Sequence, residues 1–282
     1  MEPRDAATVM LVRDAPEGPA GIEVFMLRRN LSSVFVAGAY VFPGGAVDDD
    51  DRSRAMRDLV TGVDETAASA QLGHQAGGLG FWVAAIRESF EEAGVLLARD
   101  GVTGEHATPE VVDALDAARA AVAARERSFV DVVRDAGLVL DAACLRVFGH
   151  WITPPPAPRR YDTWFFLAPA PVGHTYLHDE LETIASAWVR PSAAMERARR
   201  RELELIYPTY RSVEALSRFD STADLFAAVD GAWRDPTTAL AEVEGARAWQ
   251  VRLPGDDLDA ARRRDDAIAH STTSHRRHVE AH

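Results

Sequence analysis

The sequence has 282 residues, which suits one large domain or a domain with an appendage, and 47% of them are hydrophobic, which excludes a wholly disordered chain. Its 31 basic and 44 acidic residues leave a net charge of -13, so the chain lacks the basic surface that a bulk nucleic-acid binder needs. The sequence contains no apolar stretch of about 18 residues, and we therefore expect no membrane span.

The first part of the chain predicts strands joined by glycine-rich turns. Residues 7–13 and 22–27 are β-prone, and the glycines at 18–21 predict a hairpin whose loop is longer than a tight turn. Residues 39–42 form a short apolar run that ends in Pro43-Gly44-Gly45. Because Pro and Gly are the strongest turn signals, we expect the chain to turn sharply at this point.

The middle of the chain is mostly helical by pattern. After the acidic residues 48–52, residues 53–78 are rich in Ala and contain several Gly, which predicts a helix and a loop. Residues 81–97 predict a strong helix, and residues 108–136 predict further helix. The lone cysteine, Cys144, has apolar neighbours and no possible disulfide partner, so we expect a structural thiol and a cytoplasmic location.

The last third of the chain alternates strands and helices. We expect strands at 145–153, 161–167 and 183–189, a helix at 191–201 and two short helices within 208–230. Residues 1–255 would then form a single domain, and the polar residues 256–282 a partly disordered segment. Strands before and after a central helix, with further helices behind, predict an α+β or layered αβα fold.

The helix at 81–97 has an apolar face and an acidic face. At about 100° per residue its side chains fall into two opposite arcs. The apolar arc holds Val83, Ile86, Phe90 and Ala93, and the acidic arc holds Glu88, Glu91 and Glu92. Carboxylates one turn apart repel each other, and a divalent cation such as Mg²⁺, which prefers oxygen ligands, removes that repulsion. Arg87 can orient one carboxylate, and Gly94 can supply the left-handed residue that ends the helix.

The segment that starts at Arg87, Arg-Glu-Ser-Phe-Glu-Glu-Ala-Gly-Val, resembles the second half of the Nudix box, Arg-Glu-U-x-Glu-Glu-x-Gly-U, where U is bulky and aliphatic. Ser89 is the one departure. The box opens with Gly-x5-Glu-x7, and the turn ending at Gly45 resembles that opening, which puts Asp51, one methylene shorter, at the Glu position. The Arg then stands at 87 instead of 59, so 28 residues are extra. Either the helix motif is a coincidence or the box contains a helical insertion, at about residues 52–80, and the turn favours the insertion.

An interrupted box is found in one branch of the family, the Nudix proteins similar to the peroxisomal CoA diphosphatases of animals. Six segments resemble that branch: 38–45, 84–97, 151–154, 159–166, 188–191 and 207–209. The resemblance implies the Nudix fold, an αβα sandwich around a mixed β-sheet, with the helical insertion and C-terminal helices added. It also implies a reaction in which water attacks the diphosphate of CoA or acyl-CoA, yielding 3′,5′-ADP and (acyl-)4′-phosphopantetheine.

The resemblance also implies which residues form the site. Carried over by position, Glu88, Glu91 and Glu92 would bind one or more Mg²⁺ or Mn²⁺ ions, and the carbonyl oxygen of Gly44 would complete the coordination sphere. Glu91 and Arg87 would be the catalytic residues of the box. Most of the catalysis would then come from positioning and charge stabilisation.

Residues outside the box would supply the general base and the substrate contacts. In the loop before the strand at 183–189 we prefer Glu182 as the base, although a solvated loop acid is an equal alternative. Arg28, Arg29, Arg159 and Arg160 are candidates for binding the substrate phosphates, since the Arg fork matches phosphate oxygens. Three aromatic residues are candidates for stacking an adenine, although strand aromatics more often belong to a core: Trp151, Tyr161 and Trp164.

Two other functions compete with CoA hydrolysis. One is a pyrophosphatase of ADP-ribose, NADH or another nucleoside-diphosphate-X on the same machinery. The other is a non-catalytic Nudix-fold protein that binds or regulates, against which the intact glutamates argue. In each case we expect a small-molecule nucleotide partner, no nucleic acid, no membrane and a possible homodimer.

Overall fold

The structure is a computed structural model that describes residues 2–29, 38–155, 157, 159–174, 176, 183–234, 240–243, 247–251 and 253. The strands are β1 (Arg4–Asp14), β2 (Ile22–Arg29), β3 (Tyr40–Val41), β4 (Gly44–Ala46), β5 (Val60–Thr61), β6 (Ala98–Asp100), β7 (Leu138–Asp141), β8 (Arg146–Ile152), β9 (Tyr161–Pro169), β10 (Thr183–Val189), β11 (Leu240–Val243) and β12 (Arg247–Val251). The helices are α1 (Arg54–Arg57), α2 (Glu65–Leu72), α3 (Leu79–Ala93), α4 (Pro109–Asp113), α5 (Asp116–Ala123), α6 (Phe129–Asp135), α7 (Pro191–Arg199), α8 (Tyr207–Leu216) and α9 (Thr222–Arg234). Two 3-10 turns lie at Asp50–Arg52 and Ala142–Cys144.

Strand β1 lies at the centre of a mixed sheet. The strands follow the order β10-β2-β1-β9-β8-β12-β11, with β3 paired to β2 and β4 paired to β1. β1 is antiparallel to β2 and β4 but parallel to β9, with Arg4 opposite Tyr161 and Val12 opposite Pro169. The hairpin with a long loop, predicted between the first two strands, is confirmed.

Alternation along β1 separates two hydrophobic cores. Ala7, Val9 and Leu11 pack in one core with the buried face of α3. Met10 and Val12 pack in the other core, together with side chains of α7, α8 and α9. Helices therefore cover both faces of the mixed sheet, which confirms the αβα sandwich.

The inserted segment contains more than the expected helix and loop. Helices α1 and α2 flank β5, which pairs in parallel with β7, and β7 pairs with β6 in a small second sheet. The Asp64 carboxylate accepts a hydrogen bond of 2.7 Å from the Ala67 N–H and caps α2. A strand of two residues is too short to show an alternating pattern, which is why the sequence did not predict this sheet.

Helix α3 starts at Leu79 and ends at Ala93, so the predicted range of 81–97 is shifted toward the N-terminus. Gly94 ends the helix in the left-handed conformation, with a φ of 68°, as expected. Ser89 is fully buried, and its hydroxyl lies 2.9 Å from the Ile86 carbonyl oxygen and 2.8 Å from that of Val95. The residue that departs from the box therefore ties the end of the helix to the chain that follows.

The remaining elements match the prediction unevenly. The strands β8, β9 and β10 and the helices α7, α8 and α9 lie within a few residues of the predicted ranges, whereas residues 108–136 form three helices and β11 and β12 were not predicted. Cys144 donates its thiol to the Asp141 carbonyl oxygen at 2.9 Å, and burial raises its pKa to about 12, as suits a structural thiol. Within the described ranges no helix is long and apolar enough to cross a membrane. The expected disordered segment at 256–282 lies outside those ranges.

Candidate active site

The two halves of the interrupted motif meet in space. The Gly44 N–H donates a hydrogen bond of 2.8 Å to the Glu92 carboxylate. Gly45 lies against Glu88 so closely that a Cβ at this position would stand 2.5 Å from Oε1 of Glu88. A Cβ at Gly45 would displace the Glu88 carboxylate, so the turn and the helix are in direct contact and the helix motif is no coincidence: the 28 extra residues are an insertion within one continuous site.

Arg87 is the centre of a buried charge network on α3. Its Nη1 donates to Glu88 at 2.7 Å and to Glu91 at 2.8 Å. Its Nη2 donates to the Ala46 carbonyl oxygen at 2.8 Å, which ties the helix to β4. Only 8% of the Arg87 side chain is exposed, so these bonds form away from bulk water. Arg87 thus orients two of the three carboxylates, as the sequence indicated for one.

Asp51 has a role that the sequence left unassigned because its side chain is shorter than Glu. Its carboxylate accepts from Nε of Arg87 at 2.9 Å and from Nη2 at 3.0 Å, a two-pronged ion pair. Asp51 is 1% exposed and also accepts the Asp48 N–H at 2.8 Å. The signal was present in the sequence, since counting from Gly45 lands on Asp51.

Buried negative charge exceeds positive charge around Arg87, because one guanidinium contacts the carboxylates of Asp51, Glu88 and Glu91. Burial raises the pKa of Glu88 to about 7, against the effect of Arg87 and with a contribution from Glu91. Burial also raises the pKa of Asp51. Burial acts to lower the pKa of Arg87. The negative charges of Glu88, Asp51 and Glu91 outweigh this effect and raise the pKa above its ordinary value, so Arg87 stays charged.

The residues fit a divalent cation by donor chemistry. Glu88, Glu91 and Glu92 offer oxygen ligands, and the buried negative surplus is what a hard cation offsets. Among the described residues no three acidic, His or Cys side chains stand arranged to hold a metal ion, because Arg87 and the Gly44 N–H engage these carboxylates. Metal binding by this set, with the Gly44 carbonyl, therefore stays a prediction that requires the side chains to turn.

A cavity of about 480 Å³ opens beside this network and is called the acidic cavity here. Its walls include Arg87 and Glu91, the aspartates at 48–51 and the loop at 125–129, which joins α5 to α6. α5 is fixed to α3 because Arg119 donates to the Glu91 carbonyl oxygen at 2.9 Å. Both the loop and the acidic segment are thus positioned beside Glu91.

The first two candidate phosphate ligands lie at the end of β2 and point in opposite directions. By strand alternation Arg28 shares the face of Met26, in the core away from α3, and Arg29 shares the face of Leu27, in the core of α3. Nε of Arg28 is buried, with no hydrogen-bond partner in the described part of the chain. Of the two, Arg29 is on the α3 side of the sheet, and the role of both remains a prediction.

The other two candidates lie at the start of β9. The Arg4 N–H donates to the Arg160 carbonyl oxygen at 2.9 Å, which places Arg160 beside the start of β1. Gly44 pairs with Thr8, four residues further along β1. Arg159 is exposed, and Nε of Arg160 donates to the Thr153 carbonyl oxygen at 2.8 Å. The structure therefore does not bring all four arginines together.

The aromatic candidates mostly fill the cores. Trp151 and Trp164 are each 4% exposed, and the Trp164 ring stacks on His150 with centroids 4.1 Å apart. Tyr161 is half-buried. The preferred general base, Glu182, lies outside the described residues.

Comparisons with known proteins agree with the sequence motif. A family model described as the NUDT19 Nudix domain matches residues 3–216. The chain is similar to the acyl-coenzyme A diphosphatase NUDT19 of Gallus gallus, at 29% identity over 90% of this chain and 79% of that protein. The protein of the same name from Homo sapiens is 29% identical over 86% of this chain and 74% of its own length. Among solved structures, a NUDIX hydrolase from Alicyclobacillus acidocaldarius is 28% identical with a TM-score of 0.62, over 80% of this chain and 96% of that one.

Proposed function

This chain belongs to the NUDT19 Nudix domain family, and we propose that it hydrolyses the diphosphate of CoA or an acyl-CoA. Membership makes it a Nudix diphosphatase, a hydrolase of phosphorus-containing anhydrides. The observation that carries the proposal is the contact of the turn with the helix across the insertion. Gly44 hydrogen-bonds to Glu92, and Gly45 lies against Glu88. The relatives that share most of its length are acyl-coenzyme A diphosphatases, which supports the substrate class.

The reaction consumes one water for each diphosphate. The water oxygen forms a bond to one phosphorus, the bridging P–O bond breaks, and the bridging oxygen leaves with the other phosphorus. The products are 3′,5′-ADP and 4′-phosphopantetheine or its acyl derivative. A group near the attacking water must take up its proton, and our candidate is Glu182, in the segment before β10.

The acidic face of α3 would hold Mg²⁺ or Mn²⁺ through Glu88, Glu91 and Glu92, with the Gly44 carbonyl oxygen as a further ligand. When bound, a divalent cation neutralises the diphosphate and lowers the pKa of the attacking water. The chain itself supplies the position of these ligands. Arg87 keeps Glu88 and Glu91 on the same side of the helix, and Asp51 keeps Arg87 in place.

The walls of the site strengthen these interactions. Arg87, Glu88 and Asp51 are each no more than 8% exposed, and charges interact more strongly where water is excluded. Arg87 holds Glu88 and Glu91 by hydrogen bonds in the metal-free site, and the carboxylates would turn from these bonds toward a bound cation. Arg29, on the α3 face of the sheet, is our first candidate among the four arginines for the substrate phosphates.

A substrate panel tests the proposal. Purified protein would be given CoA, an acyl-CoA, ADP-ribose, NADH and a diadenosine polyphosphate, each with Mg²⁺, with Mn²⁺ and with EDTA. We expect CoA or acyl-CoA to have the highest kcat/KM and EDTA to abolish turnover. A kcat/KM for ADP-ribose or NADH that exceeds that for CoA by about tenfold, equivalent to 1.4 kcal/mol, would reject CoA as the substrate.

A further inference from the structure

The acidic cavity has a charge that limits what it can bind. Its walls carry Asp48, Asp49, Asp50 and Glu126 in addition to Asp51 and Glu91. Two further guanidiniums line it, and both have acidic neighbours. Arg125 lies 3.5 Å from Asp48, and Arg127 lies 2.6 Å from Asp135. The cavity wall is therefore net negative, since four carboxylates and two guanidiniums remain when Arg87, Asp51 and Glu91 are set aside.

This charge disfavours the phosphorylated half of a CoA-like substrate. A phosphate monoester carries a charge of about -1.5 to -2 at neutral pH, so the carboxylates that line the cavity repel it. The other half, beyond the diphosphate, is an uncharged arm of amide and hydroxyl groups. Its N–H and O–H groups can donate hydrogen bonds to carboxylates, which are strong acceptors.

The size and the floor of the cavity also suit such an arm. Its volume of about 480 Å³ falls within the range of small-molecule sites, roughly 300–1,000 Å³. The floor is apolar, because the buried side chains of Met56, Val122 and Phe129 line it. The cavity also shares Glu91 and Arg87 with the catalytic network, so an occupant would be continuous with the diphosphate.

We propose that the acidic cavity is the subsite for the uncharged, amide-rich arm of the substrate, between the aspartates at 48–50 and the loop at 125–129. The nucleoside half, with its phosphate monoester, then lies on the other side of the diphosphate. This assignment rests on the proposed function, since it specifies which half of the substrate faces which wall.

Product inhibition of the full-length protein separates the two halves. The variant is Glu126→Trp, which places a large ring at an exposed position on the cavity wall. The control is Glu105→Trp, which makes the same change at an exposed position outside the cavity. We expect Glu126→Trp to weaken inhibition by 4′-phosphopantetheine about tenfold or more, and to change inhibition by 3′,5′-ADP less than about twofold. Asp50→Trp, in the aspartate segment of the cavity wall, should act in the same direction.

Three results would overturn the assignment. If inhibition by 3′,5′-ADP weakens instead, the cavity holds the nucleotide half. If Glu126→Trp and Asp50→Trp both match Glu105→Trp for both products, while the thermal melts show folded proteins, the cavity is no subsite. If the wild-type protein hydrolyses neither CoA nor an acyl-CoA, the proposed function fails first and this assignment falls with it, a result visible without any variant.

Discussion

The two ends of helix α3 are held by different segments and by different kinds of bond. At its C-terminal half the segment at 44–51 binds by charge, through the pair of Asp51 with Arg87. At its N-terminal end the insertion binds the backbone. The Glu65 carboxylate accepts the N–H groups of Gly77 and Leu79, and the Ser69 hydroxyl accepts the Gly78 N–H. The insertion therefore contacts the start of α3 and not its three glutamates, which is why 28 residues fit between the two halves of the motif.

The geometry of the insertion explains why the motif tolerates it. The insertion leaves the 3-10 turn at Arg52 and returns at Gly77, and Nε of Arg52 donates to the Gly77 carbonyl oxygen at 3.5 Å. The guanidinium of Arg52 also lies over the Phe81 ring, 5.3 Å from its centroid. Because the ends of the insertion are adjacent, the insertion is a closed loop that leaves the two halves of the motif in contact. The free-energy cost of closing a loop grows slowly with its length, so a long insertion is tolerated.

The largest expected effect comes from the acidic face of α3. Glu91→Gln keeps the size of the side chain but removes a charged oxygen ligand, so we expect kcat to fall by about two to four orders of magnitude with the fold retained. Steady-state kinetics and circular dichroism would measure the two quantities. The matched change Glu105→Gln, at an exposed turn, should leave both unaltered. Full activity in Glu91→Gln would mean that this face is not the catalytic one.

The second prediction tests whether Asp51 belongs to the charged anchor. Asp51→Asn removes one partner of a buried ion pair and leaves Arg87 without its two-pronged acceptor. Because Glu88 and Glu91 still neutralise Arg87, we expect a loss of about 1–2 kcal/mol in the free energy of unfolding, from the lost hydrogen bond, and a fall of about tenfold or more in kcat. Asp58→Asn, at an exposed position of the insertion, is the control. Urea denaturation that gave equal stability for both variants would show that the anchor at this end is not the ion pair.

The third prediction concerns metal and the buried negative surplus. Since a ligand that binds only the folded state stabilises it by about 2.7 kcal/mol at a concentration of 100 times Kd, Mg²⁺ should raise the melting temperature of the EDTA-treated protein. Glu91→Gln should reduce that shift, whereas Glu65→Gln, at the other end of the helix, should preserve it. An equal shift in the wild-type protein and in Glu91→Gln would place the cation elsewhere.

The sequence predicted the site better than it predicted the insertion. Spacing and the apolar arc placed α3, its glutamates and its terminal Gly94, because helical periodicity is a local property. The role of Asp51 was missed because side-chain length alone does not reveal that the backbone at 48–51 brings this carboxylate to Arg87. Arg28 faces away from α3 because of the register of β2 in the sheet. Alternation along the strand shows only that Arg28 and Arg29 face opposite sides, and the neighbouring strands decide which side is which. The short strands β5 and β6 depend on contacts with β7, which no local pattern records.

The smallest expected effect is at the insertion's end of the helix and depends on pH. Burial acts to raise the pKa of Glu65, but the hydrogen bonds from Ser69 and from the N–H groups of Gly77 and Leu79 lower it overall. A lowered pKa means that the ionised carboxylate stabilises the folded state above the unfolded pKa of about 4.3, and that this contribution is lost as the pH falls through the lower folded value. Glu65→Gln should therefore cost about 1–2 kcal/mol at pH 7 and progressively less at acid pH, with kcat changed less than about twofold. Urea denaturation at pH 7 and at acid pH would measure the loss of unfolding free energy at each pH. Glu202→Gln, at an exposed position, is the control. A large loss of kcat with unchanged stability would show that the insertion acts on the chemistry and not on the anchoring of the helix.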